Sequence, residues 1–187
     1  MPVITPKTFE HIKTYPSYGE TRRSLLRFGT RAGNRDIRLG AKTINVFPGD
    51  DIQKAIDALN AVDGGIVFLK SGTHTLTASL TGYTKVSIVG EGRDVSIIEC
   101  SGAAYGLTYT GTVATPLANF ILKDFTLQNS NNAAGIDLDY CDFWIMENVK
   151  VTSCDQAGIR IDRSKNYKMR NVESSSNTGN GFTLNGT

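Results

Sequence analysis

The sequence predicts an all-β fold, a solenoid of coils about 23 residues long closed at its N-terminal end by one α-helix, and three observations lead there. Two windows superpose at that period, Gly-Ile-Asp-Leu-Asp from Gly135 and Gly-Ile-Arg-Ile-Asp from Gly158, and a third opens at Gly181. Each copy carries the same second half, in which Trp144, Met146, Asn148 and Val149 reappear as Tyr167, Met169, Asn171 and Val172. Ahead of these repeats, one stretch of helical period gives way to short β-rich runs separated by Gly, Asn, Ser and Thr. A repeat this short cannot bury its apolar side alone, so successive coils stack on one continuous core.

Thr43 to Phe47 is the first strand candidate. Asp50 then reads as a helix N-cap with Gln53 three residues on, and Ile52, Ala55, Ile56, Leu59 and Val62 fall on one face. Gly64 and Gly65 stop the helix, expected over 50–63. A single apolar stripe suits a helix lying across the open end of a solenoid. The β-rich runs follow at Ile66 to Lys70, Lys85 to Val89, Ser96 to Cys100, Gly106 to Thr110 and Phe120 to Leu127. The stretch 112–119, with Pro116, reads as an insertion that lengthens its coil; insertions in solenoids often form the binding face.

Strand alternation sorts the repeats into columns. Ile136, Leu138 and Tyr140 are expected inward, as are Ile159 and Ile161, Phe182 and Leu184, and Leu107 and Tyr109. Two outward columns result: Thr108, Asp137, Arg160, Thr183, and Thr110, Asp139, Asp162, Asn185. On the other strand Phe120, Trp144 and Tyr167 form an aromatic column, and Leu122, Met146 and Met169 an aliphatic one. Asp124, Asn148 and Asn171 share a position where an Asx side chain can bond local backbone.

The chain has 187 residues, 40% of them apolar and 20% charged, which suits one domain. Residues 1–45 hold nine Lys and Arg against Glu10, Glu20 and Asp36, a net of +6 that leaves −4 for the rest. Residues 1–42 are therefore read as a basic, extended leader, and 43–187 as the β-helix domain. The arginines are dispersed with no RNA-binding aromatic motif, which points away from nucleic acid and towards a solvated or subunit-contacting arm. Met1 to Pro6 has neither the basic nor the apolar region of a secretory signal, and no run is long and apolar enough for a membrane span. Cys100, Cys141 and Cys154 lack metal or disulfide spacing and read as buried free thiols. Phe182 and Leu184 point inward just before Thr187, so the sequence reads as the N-terminal part of a longer solenoid, or as one whose end another chain covers.

The stretch from Asp51 through Ile-Gln-Lys-Ala-Ile-Asp-Ala-Leu, then Gly64 through Gly-Ile-Val-Phe-Leu-Lys-Ser-Gly-Thr-His, then Val86 through Ser-Ile-Val-Gly-Glu-Gly-Arg, then Ser96-Ile-Ile, resembles the opening of pectate-lyase-like proteins. The resemblance covers roughly residues 43–100. It implies a right-handed parallel β-helix, an architecture shared by phage tail spikes and polysaccharide-degrading enzymes, and hence a polysaccharide partner. The expectation that follows is the N-terminal part of a tail-spike-type appendage that engages cell-surface polysaccharide, with a homotrimer or virion contact through the leader. Such a role places the chain in a virion or extracellular setting ahead of the cytoplasm. The alternatives are a polysaccharide lyase or glycoside hydrolase acting on acidic glycans, and a non-catalytic structural or adhesive solenoid.

One constellation can carry chemistry. Asp139 and Asp162 occupy one outward column a coil apart, so their carboxylates are expected roughly 5 Å from each other, near the spacing of a retaining glycosidase pair. Arg160 stands beside them. Alternatively Asp137, Asp139 and Asp162 bind calcium while Asp137 and Arg160 contact an acidic sugar, an arrangement similar to the calcium ligands and arginine base of pectate lyases. The competing reading is a surface ion network in which Arg160 bonds Asp137 and bridges Asp162. Asp155, Arg163, Lys165 and Lys168 read as solvated turn residues. His11 and His74 lie outside the clear repeats, which argues against a polygalacturonase-like or alginate-epimerase-like histidine centre in this sequence. Gly90-Glu91-Gly92 precedes a β-run rather than a helix and is a tight turn, not a nucleotide loop.

Overall fold

A computed structural model describes residues 42–101, 105–131 and 133–186. The expected basic leader lies outside the described residues except for Lys42.

The chain winds as a parallel β-helix. One wall is built from β1 (Thr43–Val46), β2 (Gly65–Leu69), β5 (Val86–Gly90), β8 (Leu117–Gln128), β10 (Cys141–Thr152) and β12 (Lys165–Arg170), hydrogen-bonded in that order and all parallel. A second wall, joined to it through the long strands β8 and β10, adds β3 (Gly72–Thr75), β6 (Ser96–Glu99) and β13 (Glu173–Ser175). The third is a separate five-stranded sheet in the order β14 (Phe182–Asn185), β11 (Ile159–Asp162), β9 (Ile136–Asp139), β7 (Leu107–Thr110), β4 (Leu80–Thr81).

Corners between walls fall at fixed register. Asp124, Asn148 and Asn171 have φ of 57°, 55° and 49°, the left-handed region that Asn and Asp tolerate best. Their side chains were expected to bond local backbone. Instead they form a ladder along the axis: Asn148 donates Nδ2 to Asp124 Oδ1 at 2.7 Å, and Asn171 Nδ2 to Asn148 Oδ1 at 2.8 Å.

The core runs up the axis as predicted columns. Ile136, Ile159 and Phe182 are register partners, as are Leu138, Ile161 and Leu184. Phe182 and Leu184, on the last described coil, are 41% and 62% exposed. The aromatic column is stacked throughout, with ring centroids 6.2 Å apart for Phe120 and Trp144 and 4.5 Å for Trp144 and Tyr167. Tyr109 joins it across the interior, 4.0 Å from Phe120, and donates its hydroxyl to the Val86 carbonyl at 2.8 Å. That ring sets a requirement on its neighbour: a Cβ on Gly82 would sit 2.1 Å from the Tyr109 ring.

The helix α1 spans Ile52–Asn60 and turns buried Ile52, Ala55, Ile56 and Leu59 onto the first coils. Its cap is Asp51, which accepts from the Lys54 amide at 3.1 Å, and not Asp50. Asp50 accepts from the Phe47 amide at 2.8 Å and so closes the turn before the helix. Val62 falls beyond the helix and is exposed, because Asp63 and Gly64 adopt φ of 65° and 104° and end it. Gln53 continues the ladder at the solenoid edge: its side-chain amide accepts from Thr81 N at 2.8 Å and donates to Thr81 O at 3.2 Å. No described helix is long and apolar enough to cross a membrane. Cys100, Cys141 and Cys154 are free and buried, and His74 is buried with Nε2 2.9 Å from the Lys70 carbonyl.

Candidate functional site

Of the insertion expected over 112–119, residues 112–116 form a turn after β7, bonded through the Thr112 and Thr115 hydroxyls at 2.8 Å, whereas 117–119 are already strand, because Leu117 and Ala118 pair in register with Cys141 and Asp142 on β10. Beside that turn, the outward face of the five-stranded sheet gathers every residue singled out for chemistry. Asp137 pairs in register with Thr108 and Arg160, and Asp139 with Thr110 and Asp162. Both outward columns are therefore as the alternation predicts.

The side chains take specific partners. Arg160 donates Nε to Asp137 Oδ1 at 2.8 Å and a terminal nitrogen to Asp137 Oδ2 at 2.5 Å, and its guanidinium carbon lies 5.9 Å from the Tyr105 ring centroid. Asp137 is buried, so this bidentate pair neutralises a charge that would otherwise be stranded. The pair raises the Arg160 pKa further above its ordinary value, chiefly through the Asp137 hydrogen bond. A general base must release its proton; the geometry here holds the proton on, and Arg160 does not suit that role.

One register step along, Arg163 repeats the arrangement. It donates Nε to Asp139 Oδ1 at 3.0 Å and a terminal nitrogen to Oδ2 at 2.6 Å, with its guanidinium 4.3 Å from the Tyr140 ring centroid. Tyr140 was expected inward. At φ 49° it leaves the strand alternation and turns outward, and Arg163 does the same at φ 45°. Sequence reasoning missed Tyr105, Tyr140 and Arg163. The one available signal was positional, since Tyr140 and Arg163 stand 23 residues apart and each directly follows the last Asp of its strand.

Asp162 accepts from Asn185 Nδ2 at 2.6 Å and lies 3.6 Å from Arg160 Nε. The expected ion network is thus present and larger than foreseen. The three carboxylates do not fit calcium: both oxygens of Asp137 and of Asp139 are held by guanidinium groups, and Asp162 turns to Asn185. Among the described residues no group of three His, Cys, Asp or Glu side chains is placed to hold a metal. Asp139 and Asp162 are neighbours in one column, as a carboxylate pair requires, but each is bonded to a different partner.

What the arrangement offers is two successive sets of groups on an outward sheet face, each a carboxylate held by both ends of a guanidinium that itself lies over a tyrosine ring. Cys141 lies behind them, and burial, helped by the negative charge of Asp139 and Asp137, pushes its thiol up to about 12. It is inert at neutral pH.

No family model matches the chain, and no curated protein matches it. Among solved structures, the A-module of mannuronan C-5 epimerase AlgE4 from Azotobacter vinelandii shares the fold at 20% identity and a TM-score of 0.50, over 71% of this chain and 48% of that one. The A-module of mannuronan C-5 epimerase AlgE6 from the same organism is 19% identical, with a TM-score of 0.35, over 70% of this chain and 53% of that one. This chain spans about half the length of the solved structures it matches. At such identity the likeness is one of fold.

Proposed function

We propose that this chain is a polysaccharide-binding β-helix module of the tail-spike type, and that the outward face of the five-stranded sheet is its binding surface. The observation that carries the reading is the repeated rung: Tyr105, Arg160 and Asp137, then Tyr140, Arg163 and Asp139. A pyranose presents an apolar C–H face and a rim of hydroxyls. Aromatic rings meet the first, and guanidinium and carboxylate groups already fixed in orientation meet the second at small entropic cost. Consecutive rungs along an axis match a ligand that is itself a repeating chain. The fold neighbour named as a mannuronan epimerase lends support, since mannuronan is a polysaccharide.

The test is affinity electrophoresis of the purified chain through gels containing a panel of neutral and acidic polysaccharides. At least one should retard it, and Tyr140→Ala and Arg163→Ala should each abolish the retardation while Lys168→Ala, exposed on another wall, leaves it intact. Free migration through every gel would remove the basis for the reading. Attachment to a particle or to two further copies through the basic leader belongs to the same proposal, and sedimentation of the full chain reads the trimer directly.

A second reading, a lyase or hydrolase, draws on the register pairing of Asp139 with Asp162, whose strand spacing of about 4.8 Å approaches that of a retaining pair. It requires the arginines to release these carboxylates when substrate arrives.

A further inference from the structure

The charges on the outward face of the five-stranded sheet, and the way each is already used, set the class of glycan that the face accepts. Its strands β4, β7, β9, β11 and β14, together with the corner residue after each, carry the carboxylates of Asp137, Asp139 and Asp162 against the guanidiniums of Arg160 and Arg163. Three carboxylates against two guanidiniums leave one negative charge in excess. Both guanidiniums are also committed: Arg160 gives two donors to Asp137, and Arg163 gives two donors to Asp139. Asp162 shares Arg160 with Asp137 at 3.6 Å and takes its short hydrogen bond, 2.6 Å, from the neutral side-chain amide of Asn185.

An anionic group on a ligand, such as a uronate, needs a cation to meet it. To obtain one on this face it must draw Arg160 from Asp137 or Arg163 from Asp139. The first exchange strands a carboxylate that is buried, and an unpaired buried charge costs more than a solvent-facing ion pair returns. The second releases Asp139 beside Asp162, its register partner on the next strand, and brings the anion up to two neighbouring carboxylates. A neutral sugar hydroxyl makes neither demand. A carboxylate oxygen that accepts one N–H keeps a second lone pair, and a guanidinium that gives two donors keeps others. One hydroxyl therefore donates to the first and accepts from the second with the ion pair intact, in charge-assisted bonds whose protein partners are fixed beforehand.

We propose that the glycan bound on this face is an uncharged chain of neutral pyranoses, and that the carboxylate excess discriminates against acidic polysaccharides. This rests on the polysaccharide-binding reading above and narrows it. The acidic glycans implied by the resemblance to pectate lyases are then the ones the face turns away.

The experiment runs the full chain, Tyr140→Ala and Arg163→Ala by affinity electrophoresis through graded concentrations of dextran and galactomannan, which are uncharged, and of polygalacturonate and hyaluronan, which are acidic. Each acidic polymer is also run after carboxyl reduction, which removes the charge and keeps the linkages. Retardation counts as binding on the face where both variants lose it while keeping the melting behaviour of a folded chain, so attraction of acidic polymers to the basic leader is set apart. Binding on the face is expected in at least one uncharged gel, native or carboxyl-reduced, with an apparent Kd at least about tenfold below that for any acidic polymer. A smaller ratio, or binding on the face in acidic gels alone, would overturn the neutral class and leave polysaccharide binding standing. Loss of retardation in neither variant, or free migration in every gel, would remove both.

Discussion

Arg163 holds both oxygens of Asp139 while lying 4.3 Å from the Tyr140 ring, and it does so from a turn residue with φ of 45°. Arg160 holds Asp137, two residues earlier on the strand, in the same bidentate manner, but the two carboxylates differ in burial, Asp137 being the buried one.

That difference orders three substitutions. Ile161→Asp places an unpaired charge in the core and should cost about 4 kcal/mol or more. Arg160→Ala strands buried Asp137 and should cost about 1–3 kcal/mol. Arg163→Ala removes a partner that is itself exposed from an Asp139 less buried than Asp137, and should cost less than Arg160→Ala. Urea midpoints of the three variants check the ranking, and equal losses for the two arginine variants would show that Asp137 is not effectively buried.

The corner ladder makes a separate prediction. Asn148 donates to Asp124, accepts from Asn171 and has φ of 55°, so Asn148→Ala loses two side-chain bonds and places alanine in a left-handed conformation. A loss of about 2–3 kcal/mol is expected. Asn148→Gly should be milder by about 1 kcal/mol, because only the bonds are lost. If alanine and glycine proved equivalent in thermal melts, backbone strain would have no part in the cost.

Buried thiols set the alkaline limit. The folded state holds the Cys141 proton to about 12 against an ordinary value of 9.0, and burial raises Cys100 and Tyr109 as well. Groups whose pKa is raised by folding lend their full stabilisation below the unfolded value and lose it as pH climbs towards the folded one. Stability should therefore be level up to about pH 9 and fall above it, and native thiol labelling should stay slow across that range. Denaturation midpoints from pH 7 to 11 test this; a flat profile would contradict it.

Cleavage of polysaccharide by this chain alone should be negligible, because both candidate carboxylates are already ion-paired or hydrogen-bonded. Reducing ends and unsaturated products, followed with and without calcium, provide the assay. Robust turnover that disappears in both Asp139→Asn and Asp162→Asn, with the fold intact, would establish the enzyme reading instead.

How far the sequence could be read depended on what each residue answers to. Interior columns such as Ile136 to Ile159 repeat because each coil rests on the last, so period and alternation were enough to place them. The rungs were half legible: Asp137 and Arg160 sit on strands and obey alternation, whereas Tyr140 and Arg163 sit at left-handed corners where alternation fails. Asp50 and Asp51 were a local ambiguity, decided by a turn that consumes the first carboxylate.

The aromatic column has an optical consequence. Trp144 is the single tryptophan of the chain, buried between Phe120 and Tyr167, with Tyr109 stacked on the far side of Phe120. Rings this close and nearly parallel couple electronically, so tyrosine excitation drains into one indole whose emission is blue-shifted and whose near-ultraviolet dichroism is fixed by its neighbours. Slippage between the coils that carry Phe120, Trp144 and Tyr167 changes that signal before secondary structure is lost. The protein thus contains its own spectroscopic gauge of coil registration, readable without any added label.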